Sequence, residues 1–173
     1  FIVNILKTLY HLNYSMIKID YREKKLIPII QSLNNDYKFN INIEVENLPI
    51  GDVIIYDKKG NEKLIIERKT LNDLAASIRD GRYSEQSFRL ENNSLHNHNI
   101  VFILEGDIHR YTGKYNKIPA STLHVTMFCI QYFKGFSINK TRDVLETAEY
   151  ILRATNKLLK DKKRENYYKN EGE

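Results

Sequence analysis

The chain has 173 residues, 42% hydrophobic and 28% charged, which fits one folded domain and excludes a disordered polyelectrolyte or a membrane-embedded protein. Its 27 Lys and Arg outnumber 22 Asp and Glu, giving a formal charge of +5 that suits a polyanionic partner without specifying one. The single cysteine, Cys129 within Met127-Phe128-Cys129-Ile130, excludes an internal disulfide and a four-cysteine zinc site, and reads as a small core residue.

The first residues, Phe1 to Lys7, lack the basic lead and long apolar run of a secretion signal, so an intracellular chain is expected. No stretch approaches the ~18 consecutive apolar residues of a membrane span. The first methionine is Met16, which marks either the natural start or a fragment. Residues 1–15 are then an extension, with a short packed helix as an alternative. The domain proper runs from 16 to 160, and 161–173 form a charged tail opened by Lys160-Asp161-Lys162-Lys163-Arg164-Glu165.

Met16 to Asp20 alternates apolar and polar residues and reads as the opening strand. Leu26 to Leu33 is helical, with Pro28 tolerable only in its first turn. Ile41 to Glu46 alternates strictly, as a half-buried strand does. Asp52 to Tyr56 and Lys63 to Glu67 form a hairpin across the turn Asp57 to Glu62. Thr70 opens a helix carrying Leu71, Leu74, Ala75 and Ile78, which Asp80-Gly81 interrupts before a continuation from Tyr83 to Asn92. Ile100 to Leu104 is a central buried strand. Leu123 to Phe133 is helical, Phe136 to Ile138 an edge strand, and Val144 to Leu159 a long amphipathic helix. Interleaved strands and helices make the class α/β, with a mixed sheet of about five to six strands flanked by helices.

Acidic residues at strand ends carry the chemistry. Period two puts Glu67 and Lys69 on one strand face, and the hairpin brings Asp52 beside them. Two carboxylates and an ammonium at a sheet end suit Mg²⁺, which takes one or two carboxylates, keeps waters and admits a phosphate. The lysine would orient an attacking water while the metal offsets phosphate charge. Spacing alone leaves a charged surface hairpin as the commoner alternative.

The surrounding residues extend the pattern. Gly51-Asp52 followed by Glu67-Arg68-Lys69-Thr70-Leu71-Asn72-Asp73 resembles the G-D-x(n)-E-R-K-x(3)-D signature of the XPF-type nucleases, the xeroderma pigmentosum group F family. Asp20-Tyr21-Arg22-Glu23 is similar to the family's D-x-R-E. Ser77-Ile78-Arg79-Asp80-Gly81-Arg82-Tyr83 with Gln86 is similar to its S-I-x-D-G-R-Y-x-x-Q, and Glu105-Gly106 to its E-G. The matches fall in order over roughly residues 16–106.

The resemblance implies a restriction-endonuclease-like core and metal-dependent hydrolysis of DNA. Asp52 and Glu67 match metal-binding carboxylates, with Asp20 as a third acid, and Mg²⁺, replaceable by Mn²⁺, is the implied cofactor. Arg68 and Lys69 match a basic pair beside the scissile phosphate, and Asp73 the acid after the spacer. Thr70-x-x-Asp73 is equally a helix-capping pattern. Arg79, Arg82, Tyr83, Gln86 and Arg89 are expected to contact DNA, and an exposed basic face is the plainer account. Glu105 is a peripheral candidate for orienting a basic partner. His96 and His98 have no third zinc ligand nearby in sequence. His109, Arg110, Tyr111, Lys114, Tyr115 and Lys117 mix basic and aromatic residues as a nucleic-acid loop does, although a solvated loop is commoner.

The function expected is an endonuclease for branched DNA (flap, fork or junction) in repair, recombination or replication, nuclear in a eukaryote. The alternative is a catalytically silent XPF-like subunit supporting an active partner. Such subunits usually lose the acids that this chain retains. A restriction- or resolvase-type nuclease sharing only the fold is a third reading, opposed by the Glu67-Arg68-Lys69 triplet and Gly81-Arg82-Tyr83. The tail has no room for the tandem helix-hairpin-helix module that often follows such domains. Pairing is expected through the segment from Leu123 to Leu159, with an identical or a related chain.

Overall fold

A computed structural model describes residues 16–161 and 163–168. The expected extension 1–15 lies outside the described residues, as does part of the tail. In chain order the elements are β1 (Ile17–Asp20), α1 (Leu26–Asp36), β2 (Ile43–Glu46), β3 (Val53–Tyr56), β4 (Glu62–Thr70), α2 (Leu71–Arg79), α3 (Arg82–Glu91), β5 (Ile100–Glu105), α4 (Ala120–Tyr132), β6 (Ser137–Thr141) and α5 (Val144–Lys160). A single 3₁₀ turn at Asn97–Asn99 leads into β5.

The strands form one mixed six-stranded sheet in the order β2-β1-β3-β4-β5-β6. β3 is antiparallel to both neighbours, while β2 with β1, and β4 with β5 and β6, run parallel. Every residue of β5 is buried, as a continuous apolar strand covered on both faces must be. β6 is longer than its sequence pattern predicts and forms the far edge. β2 forms the other edge, and Val45 there stays 40% exposed.

Two cores lie on opposite faces of the sheet. On one face, Ile17, Ile19, Val53, Ile55, Ile66, Val101 and Ile103 pack against Leu26 and Ile30 of α1 and Ala148, Ile151 and Leu152 of α5. On the other, Ile54, Ile65, Phe102 and Leu104 meet Leu71 and Leu74 of α2, Leu90 of α3, and Leu123, Met127 and Ile130 of α4. Burial of this apolar area, at roughly 25 cal/mol per Å², is the main stabilising term.

This layering corrects the expected pairing surface. α4 and α5 lie on opposite faces and cannot build one continuous patch from Leu123 to Leu159. Most of the α5 stripe is spent on the core, where Leu152 is fully buried, while Leu145 and Leu158 stay 53% and 38% exposed. α4 keeps exposed aromatic surface instead: Phe128, Tyr132 and Phe133 are 53%, 72% and 70% exposed and contact one another edge-on or stacked.

Local signals account for the helix starts. Thr70 accepts from the Asp73 backbone N–H at 3.0 Å and caps α2. Gly81, with φ +71°, turns the chain between α2 and α3, so the expected kinked helix is two helices. Asp143 caps α5 by accepting from the Glu146 N–H at 2.9 Å. No helix among the described residues is long and apolar enough to cross a membrane.

Candidate active site

The β3–β4 ladder pairs Val53 with Ile66, and the Asp52 N–H continues it by donating to the Ile66 carbonyl at 2.8 Å. Asp52 therefore stands across from Glu67. The β1–β3 ladder pairs Ile19 with Val53, and the Asp20 N–H donates to the Asp52 carbonyl at 2.9 Å. Strand register thus sets Asp20, Asp52 and Glu67 in a row across three strands, on the face that carries α2, α3 and α4. Gly51 makes the approach possible. It has φ +69°, and a Cβ there would sit 2.6 Å from Ile65 Cγ2.

Beside this row opens a cleft of about 310 Å³, lined by Asp52, Glu67 and Lys69 from the sheet and by Gln86 and Arg89 from α3. Arg22, Arg68, Leu90 and the segment from Leu48 to Gly51 form its remaining wall. Lys69 Nζ lies 3.6 Å from Glu67 Oε1, and both side chains are largely shielded from solvent.

The two carboxylates repel each other in a poorly hydrated place. Burial, then the Glu67 charge, pushes the Asp52 carboxyl up to about 7. Burial likewise raises Glu67, against the opposing pull of Lys69. Oxygen donors with this excess charge fit a hard divalent cation, and Mg²⁺ needs only one or two carboxylates. Among the described residues no group of three His, Cys, Asp or Glu side chains is placed to hold a metal ion.

Asp20 is in line with the pair, but its carboxylate is already engaged. Oδ1 accepts from Arg22 Nε at 2.6 Å and from the Arg22 N–H at 3.0 Å. Oδ2 accepts from Arg22 Nη2 at 3.1 Å and from the Leu48 N–H at 3.0 Å. The Arg22 guanidinium and these bonds hold its carboxyl down at about 2. In this arrangement the Asp20 carboxylate ties Arg22 and the Leu48 backbone together and so anchors the cleft wall.

Arg68 also departs from expectation. Alternation along β4 sends its side chain to the α1/α5 face, away from Glu67 and Lys69. There it forms a bidentate pair with Glu105, Nε to Oε2 at 2.7 Å and Nη2 to Oε1 at 2.6 Å, and its Nη1 reaches Glu23 Oε2 at 2.8 Å. Glu105 Oε2 also accepts from Thr147 on α5 at 2.8 Å, and Thr147 is 2.8 Å from Thr141 on β6. The Arg68 backbone N–H donates to Asp52 Oδ2 at 2.7 Å. Arg68 therefore touches the site through its main chain and braces it from behind. Burial and the Asp52 charge raise the Glu23 carboxyl.

The remaining expected residues divide. Gln86 and Arg89 line the cleft. Arg79 and Arg82 are exposed on the α2–α3 turn, and both pair with Asp80, at 2.9 and 3.1 Å. Tyr83 is half-buried, and among the described residues its enclosed hydroxyl has no hydrogen-bond partner. Asp73 is exposed on the first turn of α2 and does not line the cleft. His96 stacks on Tyr168 with ring centroids 4.1 Å apart, and His98 meets the same tyrosine edge-on.

Sequence reasoning did not single out Thr147 or the Leu48–Ile50 part of the wall. Thr147 had a faint signal: a polar residue interrupting the apolar face of α5 must find a partner when buried. Glu23 stood inside the D-x-R-E segment without a role of its own.

The ERCC4 domain model matches residues 19–154. The crossover junction endonuclease MUS81 of Arabidopsis thaliana is 34% identical over 116 residues, which is 64% of this chain and 16% of that protein. A probable crossover junction endonuclease mus81 of Dictyostelium discoideum is 33% identical over 172 residues, covering 83% of this chain and 18% of that protein. The structure-specific endonuclease subunit MUS81 of Homo sapiens is 30% identical, over 66% and 22% of the two chains. The chain thus spans about a fifth of these relatives. Among solved structures, XPF from Aeropyrum pernix, also known in complex with DNA, superposes with a TM-score of 0.62 and 28% identity, over 82% of this chain and 63% of that one. Because the matched span holds both cleft carboxylates, Lys69 and the restriction-endonuclease-like sheet that aligns them, the chain belongs to the ERCC4 domain family, of XPF type.

Proposed function

We propose that this domain is a metal-dependent endonuclease that hydrolyses phosphodiester bonds of branched DNA in repair, recombination or replication. The observation that carries the reading is Asp52, Glu67 and Lys69 facing one cleft, rimmed by Arg89. Names of the relatives support it, since they describe structure-specific and crossover-junction endonucleases.

Asp52 and Glu67 would hold Mg²⁺ or Mn²⁺, which when bound polarises a phosphoryl oxygen and offsets its developing charge. Lys69, kept beside Glu67, orients the attacking water and donates toward the phosphate. Arg89 and Gln86 position the DNA backbone across the cleft from the other side. Arg22 and the Leu48–Gly51 wall limit access of bulk water. Cellular DNA as substrate places the chain inside the cell, in the nucleus of a eukaryote.

The reading includes a dimer, through the aromatic face of α4. Phe128, Tyr132 and Phe133 form an exposed aromatic cluster of the kind that marks a protein interface. The partner is a second copy or a related chain.

The deciding experiment incubates the protein with end-labelled duplex, flap, fork and four-way DNA, in Mg²⁺ and in EDTA. Cleavage of branched forms in Mg²⁺ alone is expected. Binding without cleavage under every condition would instead establish a silent DNA-binding subunit.

A further inference from the structure

The connection between β5 and α4, residues 106–119, is long for a compact domain, and such loops are usually functional or disordered. This one is pinned. Asn116 is buried, donates from Nδ2 to the Asn72 carbonyl at 3.2 Å, and accepts from Arg79 Nη1 at 3.2 Å. The Tyr111 hydroxyl donates to the Ile118 carbonyl at 2.8 Å, and the Lys117 N–H donates to the Gly113 carbonyl at 2.9 Å.

What this anchoring displays is unusual. Tyr115 is 80% exposed at the tip, flanked by exposed Lys114 and Lys117. Lys117 takes a φ of +59°, a left-handed conformation that a lysine adopts only at some cost. The loop thus holds an aromatic ring and two cations outward at the expense of backbone strain, where a glycine at 117 would have relieved it. Asn72, its anchor, follows Lys69 by three residues, so the tip is tied to the helix that leaves the active strand.

We propose that this loop binds unpaired nucleotides, with Tyr115 as the stacking platform and Lys114 and Lys117 on the flanking phosphates. A tyrosine ring cannot reach base faces inside a stacked duplex, whereas every unpaired base offers one. The loop would then distinguish a substrate with a single-stranded arm from plain duplex. The proposal rests on the DNA-endonuclease reading and names the part of a branched substrate that this surface takes.

The test is fluorescence anisotropy with the full chain and two labelled DNAs, a blunt duplex and the same duplex with a single-stranded tail. A tail of about ten nucleotides falls in the range one such site covers. Tyr115→Ala should bind the tailed DNA about tenfold more weakly and the blunt DNA unchanged. Tyr115→Phe should retain parental affinity for both. Unchanged binding of tailed DNA by Tyr115→Ala, equal losses on both DNAs, or a Phe variant as weak as Ala overturns the proposal. A parent chain that binds neither DNA overturns the endonuclease reading with it, so the two failures are told apart.

Discussion

Arg68 and Glu105 form a two-pronged pair across neighbouring parallel strands, on the side of the sheet opposite Glu67 and Lys69. Each is nearly enclosed, so removing Arg68 leaves the Glu105 and Glu23 carboxylates without their shared cation. Arg68→Ala should lower unfolding free energy by about 3–5 kcal/mol in a denaturant titration. Thr147→Val, which deletes one donor to Glu105, should cost about 1 kcal/mol. If Arg68 instead served as a phosphate contact, its loss would weaken DNA affinity and flatten the salt dependence while leaving the denaturation midpoint in place.

Asp52 sets a pH dependence whose sign can be worked out. Its folded pKa, about 7, lies above its ordinary 3.8, so the folded state holds more protons between those values. Stability contributed by the protonated form is complete below about pH 4 and is lost as pH rises through 7. Asp52→Asn keeps an oxygen for the Arg68 N–H and removes the repulsion. It should melt about 2–6 °C higher than the parent at pH 8, with the gap closing toward pH 5. Equal melting temperatures at pH 8 would contradict the buried repulsion. Cleavage by this variant should be undetectable.

Proton competition extends to the cation. Mg²⁺ should raise the melting temperature strongly at pH 8 and weakly at pH 5.5, because protonated Asp52 is a poor donor. Glu67→Ala should abolish the shift. A Mg²⁺ shift of equal size at both pH values would place the ion elsewhere.

Lys69→Ala should lower kcat by about a hundredfold or more with little change in DNA affinity, since its proposed role is on the water and the transition-state charge. Arg89→Ala should do the reverse, weakening binding and reducing the slope of log affinity against log salt. Arg82→Ala should show a smaller salt effect, because Asp80 already engages that guanidinium.

The aromatic cluster on α4 is tested by light scattering at micromolar concentration. The parent should be dimeric, and the double variant Phe128→Ser/Tyr132→Ser monomeric with an unchanged melting curve. A monomeric parent removes the homodimer, and a variant that still dimerises moves the interface off α4. Leu152 is unsuited to this purpose because a charge there would disrupt the core.

Much of this arrangement was readable before any coordinates. The hairpin, its acids and the shared face of Glu67 and Lys69 follow from period-two alternation and a turn-rich segment. The same alternation excludes Arg68 from that face, although its position between Glu67 and Lys69 in a family motif drew it into the expected phosphate site. Asp20 could not be resolved from sequence, since register aligns it with Asp52 while a bond to the remote Leu48 N–H turns its carboxylate aside. For α4, apolar residues lie on all sides of the helix, so periodicity gives no means to choose Met127 over Phe128 as the buried one.

The repulsion between Asp52 and Glu67 has a further consequence over generations. Losing Asp52 relieves the fold, so a substitution there is rewarded in stability while nearly every other core change is penalised. A gene copy released from the need to cleave would shed Asp52 early and keep the braced sheet behind it. The descendant is a sturdier protein that still presents its aromatic and basic surfaces but no longer cuts. Inert companions are thus the downhill product of this architecture.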